Sequence, residues 1–190
     1  MSTRRVGDNS PILVTAVVCA AFDARADQAV ADVRASLRAL GAHAPRDPAH
    51  RPHLTLAAAR VHDAGVVADI AARLATRHQP IRLTLARVEM FPHGRAAWLG
   101  PSPSAALAAL QRDTHLAMTH AGLAPAFGER SDPDRWVAHC TLSTRVDRSV
   151  VTALRRLYQP IDVTVDALAT LVVGGRGDVG YTKLAETAVS

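Results

Sequence analysis

The spacing of hydrophobic and polar residues changes repeatedly along the chain and predicts strands and helices in alternation. Strands are predicted where apolar residues run together or recur at every second position, near 12–22, 53–61, 81–91, 95–100, 136–146, 161–173 and 181–186. Helices are predicted where they recur at every third or fourth position: Val30, Val33, Leu37 and Leu40; Val66, Val67, Ile70 and Leu74; Leu107, Leu110 and Met118; Val150, Val151, Leu154 and Leu157. Arg34 and Arg38 are expected on the other faces of the first helix. Stretches 42–52 and 124–135 carry turn residues and predict loops.

The order of these elements is repeated in the second half of the chain. His53-Leu54-Thr55-Leu56 is followed by a helix, by Gln79-Pro80-Ile81, and by a strand, a turn and a short strand. His139-Cys140-Thr141-Leu142 is followed by the same series, with Gln159-Pro160-Ile161 at the matching step. A chain of 190 residues is the size of one domain. We therefore expect a single domain built from two repeats, about 12–100 and 104–187, related by a pseudo-two-fold axis.

Both repeats carry the pattern His, apolar, Thr, apolar. Side chains alternate along a strand, so His and Thr project from one face while the apolar residues point into a core. A His and a Thr two positions apart are separated by about 6.5 Å at the backbone. Both side chains can then converge on one tetrahedral group, of which phosphate is an example.

A pair of histidines suits displacement at phosphorus without a metal or another cofactor. A neutral imidazole can accept a proton from the attacking group, while an imidazolium protonates the leaving oxygen. Threonine hydroxyls can donate to the non-bridging oxygens, where negative charge is held. His53, His139, Thr55 and Thr141 are therefore the candidate catalytic residues.

Two further residues are candidates for substrate binding. Arg145 stands six residues after His139 and shares its face if the strand continues unbroken; the alternative is a solvated arginine at a strand end. Tyr181 opens the last strand and could stack on a base, although core packing is the commoner fate of aromatic residues. The same alternatives apply to Trp98, Trp136, Phe91 and Phe127.

Composition sets broad limits on what the chain can be. Apolar residues make up 48% and charged residues 21%, which excludes a disordered chain. The net charge is +5, and every basic residue except Lys183 is arginine, which indicates either a compositional habit or attraction to phosphate. Two cysteines are too few for a disulfide framework, so a location in the reducing cytoplasm is expected. We also expect the protein to be a monomer. The apolar run at 12–22 follows Arg4 and Arg5 as in a secretion signal, but it is too short to span a membrane and is expected to be a strand.

Two apparent motifs are not supported by their context. Residues 175–180 match GxGxxG, but no helix is predicted after them, as dinucleotide binding requires. His50, His53 and Cys140 could be imagined as zinc ligands, but Cys140 is expected to point away from His139, towards the core. We therefore expect no metal site.

The paired motifs resemble those of the 2H phosphoesterase superfamily, and most closely its bacterial 2'-5' RNA ligase and RNA 2',3'-cyclic phosphodiesterase branch. The likeness covers most of the chain and includes RPHLTLA, HCTL, the first-strand segment CAAFD, the strand AAWLG and the closing GYTKL. It implies that His53 and His139 are the catalytic pair and that Thr55 and Thr141 hold the phosphate. The arginine of the family is matched by Arg145, one place from its usual position.

The resemblance also implies a fold and an activity. The fold is a bilobed α+β arrangement, with two pseudo-symmetric lobes whose antiparallel sheets flank a central cleft. The activity is metal-independent hydrolysis of a 2',3'-cyclic phosphate, on RNA ends or nucleotides, to a 2'-phosphomonoester. Reversal of the same displacement would give 2'-5' RNA ligation. Two alternatives stay open: a catalytically silent module that binds nucleotides or RNA, and a phosphoesterase for a small non-RNA cyclic phosphate.

Overall fold

The computed structural model describes residues 12–45, 50–92, 95–128, 132–173 and 178–185. Residues 175–177 of the GxGxxG stretch, and Arg4 and Arg5, lie outside the described residues. The helices are α1 (Ala24–Ala39), α2 (Gly65–Ala75), α3 (Ala105–His120) and α4 (Arg148–Leu157). The strands are β1 (Val14–Phe22), β2 (His53–Val61), β3 (Ile81–Met90), β4 (Ala97–Pro101), β5 (Ala124–Pro125), β6 (Cys140–Ser143), β7 (Ile161–Val172) and β8 (Asp178–Lys183).

All paired strands are antiparallel and belong to one hydrogen-bonded sheet, which confirms the predicted α+β class. The strand order is β5-β2-β1-β7-β3-β4-β6, and β8 pairs with β7 outside this path. Strand β7 joins the two halves of the sheet. One of its edges pairs with β1 along most of its length, whereas the other edge pairs first with β3 and then with β8.

The strand order places the two motif-bearing strands at equivalent positions. Counting outwards from the β7–β3 pair, β1 and then β2 lie on one side, and β4 and then β6 lie on the other. Four strands separate β2 from β6 along the path, yet Cα atoms of these two strands lie within 8 Å of each other. The sheet must therefore curve strongly enough to bring β2 and β6 together.

The two faces of β1 and β7 are built from different side chains. One face belongs to the main core, where Phe22, Leu54 and Leu168 are fully buried against residues of the helices. The opposite face carries a separate cluster without any helical residue, made of Val17, Cys19, Ala21, Ala58, Ala167 and Ala169. Because these side chains are small, larger side chains at the edge of this face can approach the backbones of the strands.

Three local predictions differ from the structure. In α1, Arg34 is buried and Leu40 is 60% exposed, the reverse of what was expected. The reason is spacing: position 34 lies four residues after Val30 and three before Leu37, on the buried stripe, whereas Leu40 is the helix cap. The second motif lies in a much shorter strand than predicted, since β6 ends at Ser143. The predicted loop at 124–135 contains the two-residue strand β5 and a short 3₁₀ helix, Pro133–Arg135.

Within the described ranges, no helix is both long and apolar enough to cross a membrane.

Candidate active site

The two histidines have the same local contact. His53 begins β2, and its Nδ1 lies 2.8 Å from the carbonyl oxygen of Arg51, two residues earlier. His139 immediately precedes β6, and its Nδ1 lies 2.8 Å from the carbonyl oxygen of Val137, again two residues earlier. A carbonyl can only accept, so in both rings Nδ1 carries the hydrogen and donates it. In the neutral ring, Nε2 is then the nitrogen with the free lone pair, as acid-base chemistry requires.

Each motif also contains a β-bulge, at its last position. Thr55 lies opposite Cys19 of β1, but the next paired residue of β2 is Ala57, so Leu56 is the extra residue. Thr141 lies opposite Trp98 of β4, but the next paired residue of β6 is Ser143, so Leu142 is the extra residue. The two bulges shift the register of their strands immediately after the motif threonines.

Side chains from other elements bind the backbone carbonyls near the two bulges. The indole of Trp136 donates to the carbonyl oxygen of Thr55 at 2.9 Å. The buried amide of Gln111, from α3, donates to the carbonyl oxygen of Leu56 at 3.3 Å. Trp136 lies three residues before His139, so one of these contacts ties the second motif directly to the first.

A buried arginine makes the reciprocal connection. Arg34 of α1 donates from Nε and Nη2 to the carbonyl oxygen of Thr141, at 3.2 and 2.8 Å. Its Nη1 donates to the carbonyl oxygen of His50 at 2.9 Å, three residues before the first motif. The side chain is only 4% exposed, and its three hydrogen bonds go to backbone carbonyls of both halves of the site. Arg34 therefore fixes the position of one motif relative to the other.

The histidines are close enough to interact electrostatically. Burial is the main cause that lowers the pKa of His53 to about 4, and the charge of His139 acts in the same direction. A buried imidazole loses hydration in its charged form, and a second positive charge nearby adds repulsion. His53 is therefore neutral at neutral pH.

The surroundings of the two motifs differ. The hydroxyl of Thr55 lies 3.9 Å from Sγ of Cys19, at the edge of the small-residue face. The ring of His139 instead lies among aromatic rings, with centroids 5.1 Å from Phe91 and 6.1 Å from Trp98, both edge-on. The two halves of the site share their backbone geometry, but different side chains surround the two motifs.

Tyr181 lies near the first motif. It pairs with Ala169 across β8 and β7 and is 39% exposed. The guanidinium carbon of Arg51 lies 5.1 Å from the centre of the Tyr181 ring, and the same guanidinium forms an ion pair with Asp27 at 2.6 Å. Arg51 is also the residue whose carbonyl accepts from His53. Tyr181 is thus linked to the histidine through one intervening residue.

Arg145 was predicted to share the face of His139 only if the strand continued unbroken, and the strand does not. Strand β6 ends at Ser143 and is interrupted by the bulge, so the alternation of faces does not extend from His139 to Arg145. The Arg145 backbone instead forms an isolated bridge with His43, and its side chain is exposed. Its role in binding stays a prediction.

The imagined zinc ligands lie in a setting unsuited to a metal. Cys140 is fully buried in the main core, and burial raises the pKa of its thiol to about 11. Metal ligation needs the thiolate, which this burial disfavours. No group of three or more metal-ligating side chains is found in the part of the chain that the structure describes.

The sequence motifs and the hydrophobic spacing did not identify Arg34, Gln111 or Trp136 as parts of the site. Arg34 and Gln111 are polar residues on buried helix stripes, and that position was the available signal. A long polar side chain in a core needs hydrogen-bond partners, and the carbonyls near a bulge are such partners. The contact of Trp136 with Thr55 depends on curvature of the sheet, which local spacing does not reveal.

The fold and the site together define a class: an antiparallel α+β protein with two equivalent His-x-Thr strands brought together by the curvature of one sheet. The family model described as the 2'-5' RNA ligase superfamily matches residues 21–177. The chain belongs to this superfamily, which is part of the 2H phosphoesterases. No curated protein sequence matches the chain significantly.

Solved structures show the same fold at low sequence identity. E. coli LigT complexed with 3'-AMP has a TM-score of 0.59 and 20% identity, over 93% of this chain and 99% of that one. TT0787 of Thermus thermophilus has a TM-score of 0.61 and 16% identity, over 93% of this chain and 99% of that one. The MHV ns2 PDE domain has a TM-score of 0.52 and 9% identity, over 83% of this chain and 99% of the other.

Replacement of Arg34 tests whether its contacts hold the two motifs in place. In Arg34→Met, the carbonyls of Thr141 and His50 lose their buried donors, so we expect the free energy of unfolding to fall by about 2–4 kcal/mol. Urea denaturation measures the change. Arg25→Met is the matched control, because Arg25 is exposed on the same helix and should change stability little. Equal losses in the two variants would contradict the bridging role of Arg34.

The pKa of His53 also predicts how stability depends on pH. The folded value of about 4 lies below the ordinary value of 6.5, so the unfolded chain binds the proton more readily between these values. Stability is therefore lost as the pH falls, and the contribution of His53 should be about 2 kcal/mol smaller at pH 5 than at pH 7.5. Urea denaturation at the two pH values should show a smaller difference for His53→Gln than for the wild type. His120→Gln is the control, because His120 is exposed. If the stability of His53→Gln depends on pH as strongly as that of the wild type, the lowered pKa of His53 is refuted.

Proposed function

We propose that the chain hydrolyses 2',3'-cyclic phosphates to 2'-phosphomonoesters, using His53 and His139 for proton transfer and Thr55 and Thr141 to hold the phosphate. The observation that carries this proposal is the identical local geometry of two His-x-Thr motifs on strands that contact each other. Each ring is fixed through Nδ1, so both rings have Nε2 for chemistry. Membership of the 2H phosphoesterases supports a phosphodiester substrate.

The proposed reaction is a single displacement at phosphorus. One neutral imidazole removes a proton from water through Nε2 as the water oxygen bonds to phosphorus. The bond from phosphorus to O3' breaks, and an imidazolium on the other side gives its Nε2 proton to that oxygen. The products are a 2'-phosphate and a 3'-hydroxyl. The neutral form of His53 suits the role of proton acceptor.

The two threonines are proposed to stabilise charge on the phosphate during this step. Each follows its histidine by two positions and is partly exposed, so its hydroxyl can reach a bound anion. Arg34 adds a buried positive charge behind Thr141, where it strengthens the attraction for negative charge in a site of low dielectric constant. These groups supply the proposed chemistry without a metal or another cofactor.

The substrate proposed is an RNA end or a nucleotide with a cyclic phosphate. LigT has been crystallised with 3'-AMP and with ATP, which supports a nucleotide ligand for a related fold. Tyr181 is proposed to stack on a base and Arg145 to bind phosphate.

We also propose that the two halves of the chain arose as repeats and that the protein works as a cytoplasmic monomer. Both cysteines are buried free thiols, in keeping with a reducing compartment.

The proposal is tested with 2',3'-cyclic nucleotides and with RNA that ends in a 2',3'-cyclic phosphate, both in EDTA. We expect the wild type to release a 2'-phosphate, and His53→Ala and His139→Ala each to lose about 10²–10⁴ of the rate, because each removes one proton transfer. His120→Ala is the matched control, since this histidine is exposed at the end of α3. Product identity is determined by phosphorus NMR or by chromatography against 2'- and 3'-phosphate standards.

Three outcomes would contradict the proposal in different ways. Loss of wild-type turnover in EDTA would refute the metal-independent mechanism. Tight binding of cyclic-ended RNA without turnover would favour the silent binding module. Turnover of small non-nucleotide cyclic phosphates, with none of cyclic nucleotides or RNA, would indicate a different substrate class.

A further inference from the structure

A groove lies between the end of β3 and helix α4, outside the two motifs. It encloses about 270 Å³ and is lined by Met90, Phe91, Pro92, Arg148, Val151, Thr152 and Arg155. Met90, Phe91 and Pro92 form one wall, while the arginine and threonine side chains of α4, together with Val151, form the other. This volume is near the lower end of ligand pockets, about 300 Å³, so the groove can hold one small unit of a larger ligand.

One residue, Phe91, lies between the groove and the candidate active site. Phe91 lines the groove, and the ring of Phe91 also contacts the ring of His139, with 5.1 Å between their centroids. Phe91 is in turn tilted against Trp98, whose backbone lies opposite Thr141. A ligand anchored at the second motif can therefore extend over Phe91 into the groove.

The polar wall of the groove is positively charged. Helix α4 contains Arg148, Arg155 and Arg156 and no acidic residue. The guanidinium of Arg155 is held by Glu89 at 2.6 Å and by the carbonyl oxygen of Val88 at 2.8 Å, so it forms a fixed part of the wall. The side chain of Arg148 is exposed and has no ion pair among the described residues, which makes its charge available to an anion.

We infer that this groove binds the nucleotide on the 5' side of the terminal cyclic phosphate, with Arg148 contacting its phosphodiester and Phe91 its base or sugar. The inference rests on the proposed function and makes it narrower, because the preferred substrate becomes an RNA strand rather than a cyclic mononucleotide. An unpaired arginine beside an apolar and aromatic wall fits a nucleotide unit, since phosphate binds guanidinium and bases stack on rings.

The experiment compares KM for a 2',3'-cyclic mononucleotide and for a tetranucleotide with a 2',3'-cyclic end. We expect the wild type to have a lower KM for the tetranucleotide, and Arg148→Ala to reduce this preference about tenfold, through loss of one phosphate contact. The slope of log KM against log salt concentration for the tetranucleotide should become smaller by about 0.7, the value for one contact on a single strand. Arg156→Ala is the matched control, because it removes the same charge from the same helix outside the groove lining.

Binding measurements keep the inference testable without turnover. A fluorescently labelled tetranucleotide with a 2'-phosphate end is titrated against His139→Ala, with and without Arg148→Ala, and we expect the second substitution to weaken binding about tenfold. Equal wild-type KM values for the two substrates, or equal effects of Arg148→Ala and Arg156→Ala, would overturn the inference while leaving the proposed function intact. Absence of turnover on both substrates would refute the proposed function, and the titration would then decide the inference alone.

Discussion

Curvature of one antiparallel sheet is the constraint on which the site depends. The motif-bearing strands are separated by four others along the hydrogen-bonded path, so a flat sheet would hold the two histidines far apart. Strands twist naturally, and bulges increase the local bend. Bulges at Leu56 and Leu142 lie in the two motif-bearing strands, which contact each other. The pairing of the histidines is thus a property of the sheet rather than of either strand.

The contacts between the two halves are reciprocal. Arg34 from α1 binds the carbonyl of Thr141, and Trp136 from the segment before β6 binds the carbonyl of Thr55. In each case the donor comes from elsewhere in the chain and the acceptor is the backbone of a motif threonine. Because buried carbonyls without donors are costly, both contacts favour the curved arrangement over a more open one. They fix backbone positions and leave the threonine hydroxyls available to a ligand.

The sequence was informative where chemistry and local spacing coincide. The repeated His-x-Thr pattern, the helix positions and the α+β class were predictable because alternation and amphipathic spacing are local properties. The duplication stays a prediction, although β2 and β6 hold equivalent places in the sheet. Arg34 was missed because an arginine is normally assigned to the surface, and its partners become apparent only when β6 reaches α1. Arg145 was placed by assuming a continuous strand, and the bulge after Thr141 removes that assumption.

The hydrogen bonds that hold the two histidine rings affect how easily the rings are protonated. Each Nδ1–H donates to a neutral carbonyl rather than to a carboxylate, so no fixed negative charge on this nitrogen stabilises an imidazolium. The nearby charge of Arg34 further disfavours protonation of His53. In the proposed reaction, an anionic phosphate placed between the rings would supply negative charge and so favour the imidazolium that protonates the leaving oxygen. Under that proposal, protonation of the leaving group would be coupled to arrival of the substrate.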